Sequence, residues 1–420
     1  AWYIDSYFTK EGVDIMKYLV LLGDGMADYP IEELGNLTPL QKANKPNMDR
    51  MAKYSEIGLA KTVPDHLNPP GSDIANMSVM GYDPDIYYTG RSPLEAVSMG
   101  ITLDDDDIAI RCNLVTLSDE EVYEDTTMVD YSSDEITTAE SRELIAFLDE
   151  NLSTENIKFY PGISYRHCVV LKHQKNEDMH FVPPHDISGR KITEYTPKGE
   201  IGLELFNLMK KSRELLINHP INQKRIEKGL HPATSVWLWG QGRRPAFDGF
   251  ENMHHIKGAV ISAVDLVKGL GLCAKMEVPS VEGTTGNIHT NFEGKADAAI
   301  EFYKNGGEFV YLHVEAPDEC GHRHEVLNKV KAIEYLDSRI LDKLLAYFND
   351  SGEPYKILVM PDHPTPLSIM THTHEPVPYM IYDSTVKVPV DNNATYDEKY
   401  AASTRLYFKK GHEIINHFLR

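Results

Sequence analysis

Three nearly unbroken apolar runs of strand length stand out along the chain: Lys17-Tyr-Leu-Val-Leu-Leu22, Glu308-Phe-Val-Tyr-Leu-His-Val314 and Lys356-Ile-Leu-Val-Met360. Runs this short, without polar alternation, predict strands buried on both faces. Helical spacing lies between them. Residues 46–54 open with a proline at the first helical position, a second run starts at Ser72, and a long one covers 326–348. From about residue 113 the pattern changes to strand candidates at 165–171 and 234–238 and amphipathic helix candidates at 137–150 and 200–218. After residue 260, strand and helix alternate again. The first and last thirds therefore read as one α/β unit, residues 16–112 with 261–420, interrupted by a smaller inserted α+β domain at 113–260.

Each apolar run ends in residues with chemical potential. Asp24 lies between two glycines after the first. Asp318 and His322 follow the second, four apart, so one helical turn would put both on one face. Asp362 and His363 follow the third, with His372 and His374 close behind. Open α/β sheets place their chemistry at the carboxyl ends of strands, and carboxylates mixed with imidazoles suit zinc or manganese. Taken singly, Asp24 is a common turn residue and an Asp-His pair a common loop. Ser72 follows Asn68-Pro-Pro-Gly71 and opens a helix, where free N–H groups and the dipole favour negative charge. A serine there is also the plainest of N-caps; as a nucleophile it needs activation, which a divalent ion supplies. Together these residues make a two-metal constellation suited to phosphoryl transfer.

Charge narrows the partners. The 42 basic and 64 acidic residues leave a net charge of −22, which argues against nucleic acid or an anionic membrane as a partner. An anionic substrate then needs local positive charge. Candidates are Arg91 in a turn before a short helix, Arg166, and the Arg243-Arg244 pair in Trp239-Gly-Gln-Gly-Arg-Arg-Pro245. Each reads equally well as surface charge, and Asp104–Asp107 reads as a solvated turn. Four cysteines without Cys-x-x-Cys spacing indicate neither a disulfide framework nor a zinc ribbon and fit a reducing cytoplasm. No apolar run approaches the ~20 residues of a membrane span. Residues 1–15 lack a signal pattern and read as an added or upstream extension, with the natural start at Met16.

In order and context, Gly23-Asp24-Gly25, Gly71-Ser72-Asp73, Asp318-x-x-x-His322, Asp362-His363 and His374 resemble the alkaline phosphatase superfamily. More narrowly, they resemble its archaeal-type 2,3-bisphosphoglycerate-independent phosphoglycerate mutases. The likeness runs from Met16 onward and takes in Gly81-Tyr-Asp-Pro84, Tyr88-Thr-Gly-Arg91, Arg111-Cys-Asn113, Tyr160-Pro-Gly-Ile-Ser-Tyr-Arg-His167 and Trp239-Gly-Gln-Gly-Arg243. It implies an alkaline-phosphatase-like sheet flanked by helices and two divalent ions, manganese foremost with zinc, magnesium and cobalt as alternatives. It also implies no need for 2,3-bisphosphoglycerate. One ion would be held by Asp24, Ser72, Asp362 and His363, the other by Asp318, His322 and His374, leaving His372 as a supporting or surface residue. Ser72 would carry the phosphoryl group between the hydroxyls of glycerate, interconverting 3- and 2-phosphoglycerate in cytoplasmic glycolysis and gluconeogenesis. Arg91, Arg111, Arg166, Arg243, Arg244 and Lys295 would contact substrate, with the two domains closing over it. One position departs from the family pattern: in Thr285-Gly-Asn-Ile-His-Thr-Asn291, His289 stands where an aspartate is expected. That opens two alternatives, the family's proposed homoserine kinase branch, in threonine biosynthesis, and a metal-dependent phosphohydrolase. No nucleotide-binding P-loop is present for a kinase, and the oligomeric state is left open.

Overall fold

The computed structural model describes residues 16–420; residues 1–15, and the extension read there, lie outside the described residues. In chain order the strands are β1 (Lys17–Gly23), β2 (Glu56–Ala60), β3 (Ile108–Leu117), β4 (Met128–Asp130), β5 (Ile157–Ile163), β6 (Arg166–Leu171), β7 (Ser235–Gly242), β8 (Gly258–Ile261), β9 (Phe309–Val314), β10 (Tyr355–Met360), β11 (Val377–Asp383) and β12 (Tyr407–Phe408). Two compact units divide the chain, one ending at Tyr88 and resuming at Phe247, the other spanning Thr89–Ala246.

The first unit is a seven-stranded sheet in the order β12-β2-β11-β10-β1-β9-β8. Its centre is parallel: β1 pairs with β10 and β9, and β9 with β8. β11 runs antiparallel to β10 and to β2. Because successive strand residues point to opposite faces, Leu19 and Leu21 with Val310 and Leu312 enter a core shared with Phe292, Ala296 and Ile333. Tyr311 and His313 turn to the other face, where they meet Asn76 and Asp24. The four parallel strands all end on one edge, in Asp24, Ser262, Asp318 and Asp362.

The stretch expected as one helix over 326–348 is helical from Val326 to Ser351 but holds a π-helical segment at Leu336–Leu341. That segment carries the buried Asp337. Its carboxylate accepts the backbone N–H groups of Asn47 (3.3 Å) and Met48 (2.8 Å), capping the Pro46–Ala52 helix, whose own N-cap residue Lys45 makes no side-chain cap. A remote residue satisfies donors that the local sequence leaves open.

The second unit is a five-stranded antiparallel sheet in which β3 pairs with β4, β6 and β7, and β5 with β6. The helices Thr138–Leu152 and Glu200–Leu216 bury Leu144, Leu148, Leu205 and Met209 against it. Its bounds, Thr89–Ala246, differ from the 113–260 read in the sequence, and β3 is one continuous strand through residue 113. Pairing with β6 already begins at Ile108↔Leu171, so the residues ahead of 113 cannot be separated from it. The acidic stretch 104–107 is not simply solvated either: Asp107 is buried and holds Lys172 Nζ at 2.9 Å and the His173 N–H at 3.1 Å. No helix among the described residues is long and apolar enough to cross a membrane.

Candidate active site

The parallel strand ends converge with the first residue of the Ser72–Val79 helix. Ser72 Oγ lies 3.0 Å from His363 Nε2, which is also 3.2 Å from Asp24 Oδ1 and 3.4 Å from Asp362 Oδ2. Asp362 is oriented by N–H groups from Gly25 (3.0 Å) and His363 (2.8 Å) on Oδ1, and by Asn76 Nδ2 (2.9 Å) on Oδ2. Gly25 has to be glycine. Its φ is +65°, and a Cβ there would sit 2.7 Å from Asp318 Oδ1 and 2.8 Å from the Asp318 Cα.

A second group adjoins the first. Asp318 and His322 share one turn of the Ala316–His322 helix, with Nε2 to Oδ2 at 3.2 Å. His372 Nε2 lies 3.0 Å from Asp318 Oδ1 and 3.0 Å from His322 Nε2, and its ring stacks on that of His363 with centroids 3.6 Å apart. His374 is elsewhere: its Nε2 is engaged by the Leu67 carbonyl at 2.8 Å. The structure thus corrects the reading of these two histidines, bringing His372 into the group and leaving His374 out. The hydrogen bonds show why. His322, His363 and His372 each place Nδ1 against a backbone carbonyl, of Met370 (3.1 Å), Pro364 (3.1 Å) and Pro70 (2.8 Å). A proton on Nδ1 satisfies each carbonyl and turns Nε2 into the site, where it can give up its own proton to bind a cation, the orientation of metal-binding imidazoles.

Electrostatics point the same way. Burial pushes Asp24 well above the usual carboxylate range, with repulsion from Asp318 adding to it. Burial and Asp24 push Asp362 up to about 7, and burial with Asp24 and Asp318 push Glu315 up to about 8. Asp318 moves down, because hydrogen bonds from His322 and His372 outweigh its burial; the bond to Asp318 raises His322 to about 9. Asp24 Oδ1 is buried and accepts no hydrogen bond, a costly state for a carboxylate oxygen unless a cation neutralises it. This donor set fits divalent ions, and the buried carboxylates and imidazoles provide for two of them.

A pH dependence follows. Asp362, Glu315 and His322 all hold protons more tightly in the metal-free fold than in the unfolded chain. Their protonated forms therefore favour folding, and that contribution is lost as pH rises through about 7, 8 and 9 respectively. Bound cations remove the need for those protons and stabilise by mass action. The drop in Tm caused by a chelator should widen steadily between pH 6.5 and 9, as measured by scanning calorimetry; a constant drop would contradict the ligand assignment.

Two buried groups escaped the sequence reading. His313 Nε2 lies 2.8 Å from Asp24 Oδ2 and its Nδ1 3.0 Å from Ser262 Oγ. Burial lowers its pKa to about 4, so it stays neutral, donating to Asp24 and accepting from the serine hydroxyl. With both nitrogens engaged it orients Asp24, and its Nε2 lies close enough to Asp24 and Asp362 to form a metal-capable group with them. Lys329, fully buried, bonds Asp28 Oδ2 (2.8 Å) and the Thr365 carbonyl (2.9 Å), while Thr365 Oγ1 donates to Asp318. This pair anchors the loop after β10. Lys329→Met leaves the Asp28 carboxylate buried without its cation and should cost about 3–5 kcal/mol of stability in chemical denaturation, part of it recovered by adding Asp28→Asn.

In the second unit, Arg111 stacks on Trp239 (4.2 Å) and lies 3.5 Å from Glu95. Burial lowers its pKa, and the charges of Arg91 and Arg166 add to that. These three arginines form one electropositive cluster, set by the pairing Asn113↔Arg166 beside Arg111↔Cys168. Arg243 is pinned by Glu177 and the Gln174 carbonyl, and Arg244 is half-buried next to it. Lys295 is fully buried in the first unit, its Nζ on the His313 carbonyl at 3.0 Å, and burial lowers it to about 8. It supports the wall behind Asp24. His289 lines a cleft of about 290 Å³ with Asn328, Lys331 and Arg339, outside both histidine–carboxylate groups.

Fold and site together define a metal-dependent phosphoryl-transfer enzyme built on the carboxyl edge of an open α/β sheet. A family model described as 2,3-bisphosphoglycerate-independent phosphoglycerate mutase matches residues 52–222. The chain is 50% identical over 400 residues to the 2,3-bisphosphoglycerate-independent phosphoglycerate mutase of Methanosarcina mazei, covering 95% of this chain and 98% of that one. It is 49% identical to a probable 2,3-bisphosphoglycerate-independent phosphoglycerate mutase of Geobacter sulfurreducens, over 96% and 100% of the two chains. It belongs to this family. Among solved structures, a Pyrococcus horikoshii protein matches 97% of each chain with a TM-score of 0.81 at 29% identity. A cofactor-independent phosphoglycerate mutase from Thermoplasma acidophilum shares the fold, with a TM-score of 0.70 at 23% identity over 96% of this chain and 99% of that one.

Proposed function

We propose that the chain interconverts 3- and 2-phosphoglycerate through a phosphoserine at Ser72, without 2,3-bisphosphoglycerate. The observation that carries this reading is the contact between Ser72 Oγ and His363 Nε2 at 3.0 Å, at the end of a helix and beside two adjoining ligand groups. Asp24, Ser72, Asp362 and His363 would hold one ion and Asp318, His322 and His372 the other, manganese being the first candidate. Bound there, the ions would favour the serine alkoxide and neutralise the transferring phosphoryl oxygens.

The chain's own groups account for the rest. Ser72 Oγ bonds to phosphorus as the bond from phosphorus to the glycerate oxygen breaks, and that oxygen takes up a proton. The second glycerate hydroxyl then loses its proton and takes the phosphoryl group back, restoring Ser72, so the cycle consumes no net proton or water. The helix N-terminus favours the anion at Ser72. The cluster of Arg91, Arg111 and Arg166 supplies guanidinium forks for carboxylate or phosphate; a role of that kind is less favoured for Arg243 and Lys295 by their existing partners, while Arg244 stays a candidate. A cytoplasmic enzyme of central carbon metabolism, free of nucleic acid and membrane, fits the charge and cysteine usage.

Purified protein with manganese should interconvert the two phosphoglycerates, read by coupled assay or phosphorus NMR. Phosphohomoserine from homoserine and ATP would select the kinase reading instead, and net release of inorganic phosphate the hydrolase.

A further inference from the structure

Asn76 sits one turn after Ser72, on the helix that presents the nucleophile, and it is fully buried. Every polar group of its side chain is committed. One amide hydrogen goes to the Ser72 carbonyl (2.7 Å) and the other to Asp362 Oδ2 (2.9 Å), while Oδ1 accepts from the Tyr311 hydroxyl (2.6 Å). Tyr311 comes from β9, also fully buried, so three separate segments meet at this one amide.

Local preference does not explain the residue. Asparagine is a poor helix former, and a side chain that bonds the carbonyl four residues back competes with the backbone there. A buried helix face next to Ile74, Ala75 and Met77 would otherwise suit leucine. The position makes sense through what it joins. Ser72 Oγ and Asp362 Oδ2 both approach His363 Nε2, at 3.0 and 3.4 Å. Any change in the separation of the helix start from Asp362 therefore changes the nucleophile's place in the site.

We propose that Asn76 is a positioning residue that locks the nucleophile's helix onto the Asp362 carboxylate, with Tyr311 fixing which way its amide faces. The inference rests on reading Ser72 as the nucleophile and Asp362 as a ligand. All side-chain polar groups of Asn76 are taken up by protein partners. It acts by holding Oδ2 of Asp362 at a set angle, with Gly25 and His363 holding Oδ1. Losing an outer partner of a metal ligand typically costs 10–100-fold in metal affinity or activity.

The test is calorimetric titration of manganese into the full chain, with phosphoglycerate kinetics alongside. Wild type should bind two ions. Asn76→Leu keeps the branched shape and removes both donors; it should weaken one of the two binding steps about 10–100-fold, leave the other unchanged, and lower kcat with little effect on KM. Tyr311→Phe should weaken the same step, by less, and the double variant should be no worse than Asn76→Leu alone. A purely structural role would shift the melting temperature without singling out one ion. Both ions binding to Asn76→Leu as to wild type, with unchanged kcat, would overturn the proposal. If Asn76→Leu does not fold, Tyr311→Phe decides: wild-type titration of both steps would overturn it. A wild-type protein that binds no divalent ion would instead sink the underlying metal reading.

Discussion

Ser72→Ala should abolish phosphoryl transfer, lowering kcat by about 10⁵-fold or more, the scale seen when a nucleophile acting within a catalytic unit is removed. The reason is geometric. Ser72 is the hydroxyl 3.0 Å from His363 Nε2; the nearby Thr365 hydroxyl donates to Asp318 and lies 3.2 Å from Nδ1, the other ring nitrogen. Thr365 therefore cannot substitute. The alanine variant should still bind the ion assigned to Asp318, His322 and His372, since none of those contacts involves Ser72. Equilibrium titration with manganese reads that retention, and steady-state assay in both directions reads the loss. An alanine variant with wild-type turnover would remove the phosphoserine from the mechanism.

The second large effect separates two histidines that the sequence presents as near neighbours. His372→Ala should reduce affinity for one ion by more than about 100-fold, beyond the loss typical of residues that only support a ligand, and take activity with it. His374→Ala gives up the hydrogen bond to the Leu67 carbonyl and should cost about 0.5–1.5 kcal/mol of stability with two ions still bound. Metal content after dialysis distinguishes them directly. The reverse pattern would restore His374 as the ligand.

This pair also shows where the sequence stops being readable. Asp24, Asp318 and Asp362 were legible because each follows a buried apolar run, and parallel strands carry their ends to one edge whatever the intervening helices do. Asp318 and His322 were legible through helical spacing. His372 and His374 lie in an irregular loop, so no period orders them. Which one turns inward is fixed by the carbonyls of Pro70 and Leu67, about three hundred residues away. His313 was hidden inside an apolar run, although a histidine in a strand otherwise lined by Val310, Tyr311, Leu312 and Val314 is itself a signal of a buried polar contact. Lys329 left a similar trace: it shares the stripe of Val326, Val330 and Ile333, where a lysine needs a buried acid. The change in pattern at residue 113 is not the start of an element, because β3 runs from Ile108 through it. Asn76 left only the weak trace of a poor helix former on an apolar helix face, since two of its three partners come from β9 and the loop after β10.

In the proposed mechanism Ser72 carries the phosphoryl group while divalent ions sit in the two adjoining ligand sets. This is tested most directly by acid-quenching the manganese-loaded protein during turnover of 3-phosphoglycerate and mapping phosphopeptides by mass spectrometry. One phosphoryl group is expected, on the peptide containing Ser72, formed from either phosphoglycerate and absent when the metal is chelated. Turnover with Ser72 unmodified, or with the phosphoryl group on another residue, would contradict it.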